Sequence, residues 1–181
     1  MPPGEVVDEL RRALQPAGLD EATLPRVLTL PEVHQRPELA VPLLRLVADL
    51  RASIPDESLV TAACLAMEAG AVDQVRHHLL QPLTEIARRA LSCPWMRSQA
   101  PELFVRLNPS KLLSMLRQTR ETYHGRDWLE DCDPDRLELA AAAFEALHRP
   151  RQARKLWLRL ASSSEVNAGE DQRERARAAL E

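Results

Sequence analysis

The chain has 181 residues, of which 45% are hydrophobic, only 3% aromatic and 28% charged, with a net charge of -3. That balance excludes a disordered chain, and with five glycines it leaves Leu and Ala to build a core of helices rather than sheets. No apolar run approaches the roughly 20 residues of a membrane span, and the acidic opening MPPGEVVDELRRAL lacks a basic-then-apolar signal, so a cytoplasmic chain with no membrane partner is expected.

Taken in order, a first helix is predicted over Glu5 to Leu14, with Val6, Val7, Leu10 and Leu14 on one face. Asp20 to Leu30 follows, interrupted by Pro25, and then a helix opened by Pro37 with Pro42 in its first two turns. Pro55 with Asp56 and Glu57 behind it is a helix start, since acidic side chains in a first turn suit the helix dipole. That helix stops at Gly70. A partner runs from Asp73 to Leu91, and Pro82 inside it is expected to kink or split it. After a connector from Ser92 to Ala100, Pro101 opens a short helix to Leu107, and Asn108-Pro109 caps and opens the next. Tyr123 to Asp133 reads as an irregular polar stretch, and Asp133-Pro134 repeats the cap-then-proline signal. Two helices then span Arg136 to Leu160, broken at His148-Arg149-Pro150. Residues 1–161 are expected to form one helical-repeat-like domain, and 162–181 a charged helix or tail.

Aligning the hairpin turns puts Gln35, Gly70, Asn108 and His148 in equivalent places, at steps of 35, 38 and 40 residues. In the two clearer units, Leu59, Ala62, Ala63, Ala66, Gly70, Val75 and Leu79 correspond to Leu137, Ala140, Ala141, Phe144, His148, Ala153 and Trp157. Small residues where two helices cross, with a larger one further along the second, suit close antiparallel packing. This spacing resembles the tetratricopeptide repeat family. On that resemblance Ala63 and Ala141 take the small position of the first helix, Phe144 its aromatic position, Ala153 the small position of the second helix, and Leu79 and Trp157 its large position. The family's closing proline is replaced by Ala87 and Glu165, and Pro31 and Pro101 fall where a first helix should be continuous. The fold class expected is therefore all-α, in successive antiparallel hairpins, as either a short α-solenoid or an irregular helical bundle.

Chemistry is weakly signalled. His77 and His78 are adjacent and point about 100° apart on a helix, so they do not chelate one ion as a pair. Cys64, Cys93 and Cys132 are widely spaced, and no HExxH, CxxC, GxSxG or glycine-rich phosphate loop occurs. The acidic residues Asp127, Glu130, Asp131, Asp133 and Asp135 lack the spacing and central glycine of a calcium loop. No metal, cofactor or catalytic site is expected.

Charge distribution carries the partner expectation. Between Arg76 and Arg126 nine basic residues meet only Glu85, Glu102 and Glu121, and Arg149, Arg151, Arg154, Lys155 and Arg159 form a second basic run. A non-catalytic interaction or scaffold module follows, binding a protein or peptide, an acidic one included, in a helical groove. Arg76, Arg88, Arg89, Lys111, Arg117, Arg120, Arg154 and Lys155 are its candidate contacts. The alternative is a nucleic-acid-binding helical repeat using the same runs, 76–126 and 149–159, against phosphates. A third reading is a regulatory subunit of a larger enzyme complex.

Overall fold

Proline punctuates this chain. In the computed structural model Pro37 opens a 3-10 turn, Pro55 is an N-cap, Pro101 stands in a first turn, and Pro109, Pro134 and Pro150 are the first residues of their helices. A first-turn proline sacrifices no helical bond, and its fixed φ favours the helix that follows. The structure describes residues 23–28, 31–93, 98–118, 129, 133–162 and 168–181. The predicted helix Glu5 to Leu14, most of the stretch Tyr123 to Asp133, Trp95 and Arg120 lie outside them. Among the described residues every regular element is helical and the helices pack against their neighbours, an all-α fold.

Contacts divide the chain into two compact units, Met1–Ile86 and Ala87–Glu181. The first holds α1 (Thr23–Leu28), α2 (Pro31–His34), the 3-10 turn Pro37–Leu39, α3 (Ala40–Asp49), α4 (Asp56–Glu68) and the start of α5 (Val72–Ser92). α4 packs against α1, α3 and the 3-10 turn, burying Leu59, Ala62, Ala63 and Ala66. Pro42, in the first turn of α3, costs no helical hydrogen bond there.

Pro82 does not split α5, which runs as a single 21-residue helix. Val75, Leu79, Leu83, Ile86 and Ala87 recur at helical spacing on both sides of the proline and are all buried. Burying that stripe offsets the roughly 3 kcal/mol an interior proline costs. Nearby, Thr84 Oγ1 donates to the Leu80 carbonyl at 2.7 Å.

The second unit contains α6 (Ala100–Leu107), α7 (Pro109–Gln118), α8 (Pro134–Ala146), α9 (Pro150–Ser162) and α10 (Glu170–Ala178). α8 is its central element, touching α6, α7, α9 and α10. Both predicted side-chain caps form. Asn108 Oδ1 accepts the Lys111 amide, and Asp133 Oδ1 accepts the Arg136 amide, each at 3.0 Å.

The turns after α4 and α8 share one geometry. Gly70 N–H donates to Met67 O at 3.1 Å and Ala71 N–H to Ala66 O at 2.8 Å. After α8, His148 N–H donates to Glu145 O and Arg149 N–H to Phe144 O, both at 2.8 Å. Each pair satisfies two carbonyls at the helix end and requires a left-handed residue, Gly70 at φ 80° and His148 at φ 55°. A Cβ at Gly70 would meet nothing within 4 Å, so only backbone strain opposes one. Gly70→Ala should cost about 1 kcal/mol, while His148→Gly should be neutral or stabilising by up to about 1 kcal/mol. Urea denaturation of the two variants measures both signs.

Candidate functional site

α9 begins where the left-handed turn at His148 lets the chain reverse. Arg149 O accepts the Ala153 amide at 3.2 Å, starting the helix at Pro150. Ala153, Leu156, Trp157 and Leu160 then fall on one buried face, where α9 lies along α8. Trp157 is 6% exposed, and its indole N–H donates to Glu145 Oε1 at 2.7 Å. The pair joins the body of α9 to the last turn of α8.

Beside that pair lies an open cleft of about 450 Å³, lined by Glu145, His148, Pro150, Ala153, Arg154, Trp157, Ala179 and Leu180. Three segments build it: the end of α8, the first two turns of α9, and the residues just after α10. Its wall is largely apolar, through Pro150, Ala153, Trp157, Ala179 and Leu180, while Arg154, His148 and Glu145 supply the polar edge.

At about 100° per residue, Arg151, Arg154, Lys155 and Leu158 share an arc opposite the buried face of α9. All four are exposed, and Leu158 at 49% is the exposed large hydrophobic residue among those described. Among the described residues Arg151, Arg154 and Lys155 have no ion-pair partner.

The other basic residues singled out from the sequence are placed differently. Arg76, on α5 in the first unit, contacts Asp73 Oδ1 at 2.6 Å one turn away. Arg88 is half-buried and Arg89 exposed on α5, and each already has an interaction partner. Lys111 is half-buried and Arg117 exposed on α7. Of the described ones, Arg154 alone lines the cleft, with Lys155 beside it on the helix. Trp157 was legible as a large hairpin residue, but nothing local marked His148, Leu158 or Leu180 as site residues.

α10 packs along α9 and is tied to α8 by polar side chains. Arg175 donates to both oxygens of Glu138, at 2.6 and 3.0 Å, and Gln172 Nε2 donates to Asp135 Oδ1 at 2.6 Å. Glu102, on α6, faces the same group. Burial first, then the charges of Glu138 and Asp135, push its carboxyl above the ordinary value of 4.5, and Arg175 opposes them. A carboxyl raised in the folded state binds protons there more readily than in the unfolded chain, so its contribution to stability falls as pH rises from about 4.5 through the raised value. Glu102→Gln should therefore be more stable than the parent at neutral pH, with the gap closing below pH 4.5. Thermal midpoints recorded across that range measure it.

Among the described residues no group of three or more His, Cys, Asp and Glu could hold a metal ion. No helix is long and apolar enough to cross a membrane, again among the described residues. No family model, curated protein or solved structure matches this chain.

Proposed function

We propose that the chain is a non-catalytic protein-interaction module whose second unit holds a peptide segment of a partner in the cleft at the α8–α9 turn. The cleft itself carries this reading: about 450 Å³ of open space against an apolar wall, edged by an arginine and a histidine. Sites of roughly 300–1,000 Å³ with apolar linings and a few polar groups are the usual form of a binding pocket. Such a volume suits one or two side chains projecting from a peptide. Trp157, fixed by Glu145 and only 6% exposed, backs the cleft as a rigid wall.

The resemblance of the two hairpins to tetratricopeptide units supports the same reading, since arrays of helical hairpins present grooves to partners. The groove proposed here is narrower than the sequence-derived one, drawing on Arg154 and Lys155 rather than on the whole basic run.

Selection of a random-peptide library on the intact chain tests the proposal. Leu180 is half-buried at the cleft, so Leu180→Trp fills it without disturbing the core of α8 and α9. Enriched peptides should bind the parent and lose most of their affinity for the filled variant. Peptides bound equally by both, or no enrichment at all, would remove the cleft as the binding site.

A further inference from the structure

We infer that the partner segment is acidic and amphipathic, with apolar side chains seated in the cleft and on Leu158, and carboxylates lying along Arg151, Arg154 and Lys155. The inference rests on the proposed peptide-binding role of the cleft and adds the class of partner.

Its first support is charge. α9 carries four basic residues, Arg151, Arg154, Lys155 and Arg159, and no acidic one. Arg159 is spent inward, donating to the Leu129 carbonyl. The other three point away from the core along one arc and have no ion-pair partner among the described residues. Glu145, the acid at the cleft, accepts the Trp157 indole N–H and lies on α8. The outer face of α9 is therefore positive, and carboxylates complement it.

A second support is the position of Leu158. It lies between Arg151 and Arg154 on the same arc, one turn beyond Arg154 and Lys155. An exposed leucine among cations is poorly matched to water and well matched to a segment presenting both apolar and anionic groups. Arg154 belongs to both surfaces, edging the cleft and standing on the arc, so one continuous ligand can reach cleft and face together. A phosphate backbone would use the cations but leave Leu158 and the apolar wall uncovered, which is why a peptide is favoured over nucleic acid.

The test uses two synthetic peptides with leucines at helical spacing, one with glutamates and one with lysines between them, alongside a duplex oligonucleotide. Binding is followed by fluorescence anisotropy on the intact chain. The glutamate peptide should bind and the lysine peptide should not. The triple variant R151E/R154E/K155E should weaken the glutamate peptide by about tenfold or more, and binding should weaken with added salt. Leu158→Ser should weaken it about threefold. These four positions are exposed, so unchanged thermal midpoints will show that the variants fold.

If library-selected peptides depend on the cleft but carry no acidic excess and ignore the triple charge reversal, the partner class is overturned and the cleft remains a binding site. If no peptide is sensitive to Leu180→Trp, both the role of the cleft and this inference fall. Should the oligonucleotide bind as tightly as the glutamate peptide and lose affinity in the triple variant, the face is a phosphate-binding one and the inference is overturned.

Discussion

Trp157→Ala is expected to destabilise the second unit by roughly 3–5 kcal/mol, the cost of emptying a large aromatic site that cannot fully collapse. The side chain is 6% exposed and stands on the face that α9 buries against α8. Removing it also takes the indole donor from Glu145, whose carboxylate would then have to find water at the cleft edge. Thermal denaturation should show a drop of roughly 6–20 °C in the unfolding midpoint of the 181-residue chain. Trp157→Phe separates the two contributions, because it keeps most of the volume and deletes only the hydrogen bond, and it should recover most of the loss. A shift of under about 1 kcal/mol for the alanine variant would mean that the ring is not an anchor of this hairpin.

The corresponding change in the other hairpin, Leu79→Ala, should cost about 2–5 kcal/mol. Leu79 is fully buried on α5, and it lies as far beyond the left-handed Gly70 as Trp157 does beyond His148. It has no polar tie, so its loss should follow volume alone, and Leu79→Met should be tolerated at under about 1.5 kcal/mol. Measuring both alanine variants by chemical denaturation compares the two slots directly. Equivalent slots predict large losses in both, and a small loss at Leu79 would confine the anchor to the second hairpin.

Helix starts and stops were the most legible part of the fold, because their causes are local. Asp133 and Asn108 each precede a proline, and both close their caps within three residues. The equivalence of Gly70 and His148 was legible as spacing, and the structure shows its cause in the shared left-handed turn. At Pro82 the sequence left a kink and a split both open, because the local penalty is visible there while the buried stripe that keeps the helix whole runs from Val75 to Ala87.

The site was less legible, and the reason is distance along the chain. Counting arginines could not separate those that contact a near neighbour, such as Arg76 with Asp73, from those with no such partner among the described residues, such as Arg154. Nor could it show that Arg136 and Arg159 spend guanidinium hydrogens on the backbone carbonyls of Leu91 and Leu129, 45 and 30 residues away. The cleft depends on α10 packing back on α9 and reaching α8 through pairs separated by 37 residues, contacts that no local pattern encodes.

That return has a dynamic consequence. α10 packs along α9 but buries only Ala176 along its own length, and its ties to α8 are the polar contacts of Gln172 and Arg175. With so little apolar area buried by α10, and with exposed ion pairs contributing little and weakening further in salt, α10 should detach in local openings below the energy of global unfolding. Its amides should then exchange with solvent deuterium ahead of those in α8. Each such opening carries Ala179 and Leu180 away from the wall they help to form, so the complete cleft belongs to the docked population alone. A ligand that touches Leu180 would draw that population up and slow exchange throughout α10, making the tail of the chain a reporter of occupancy.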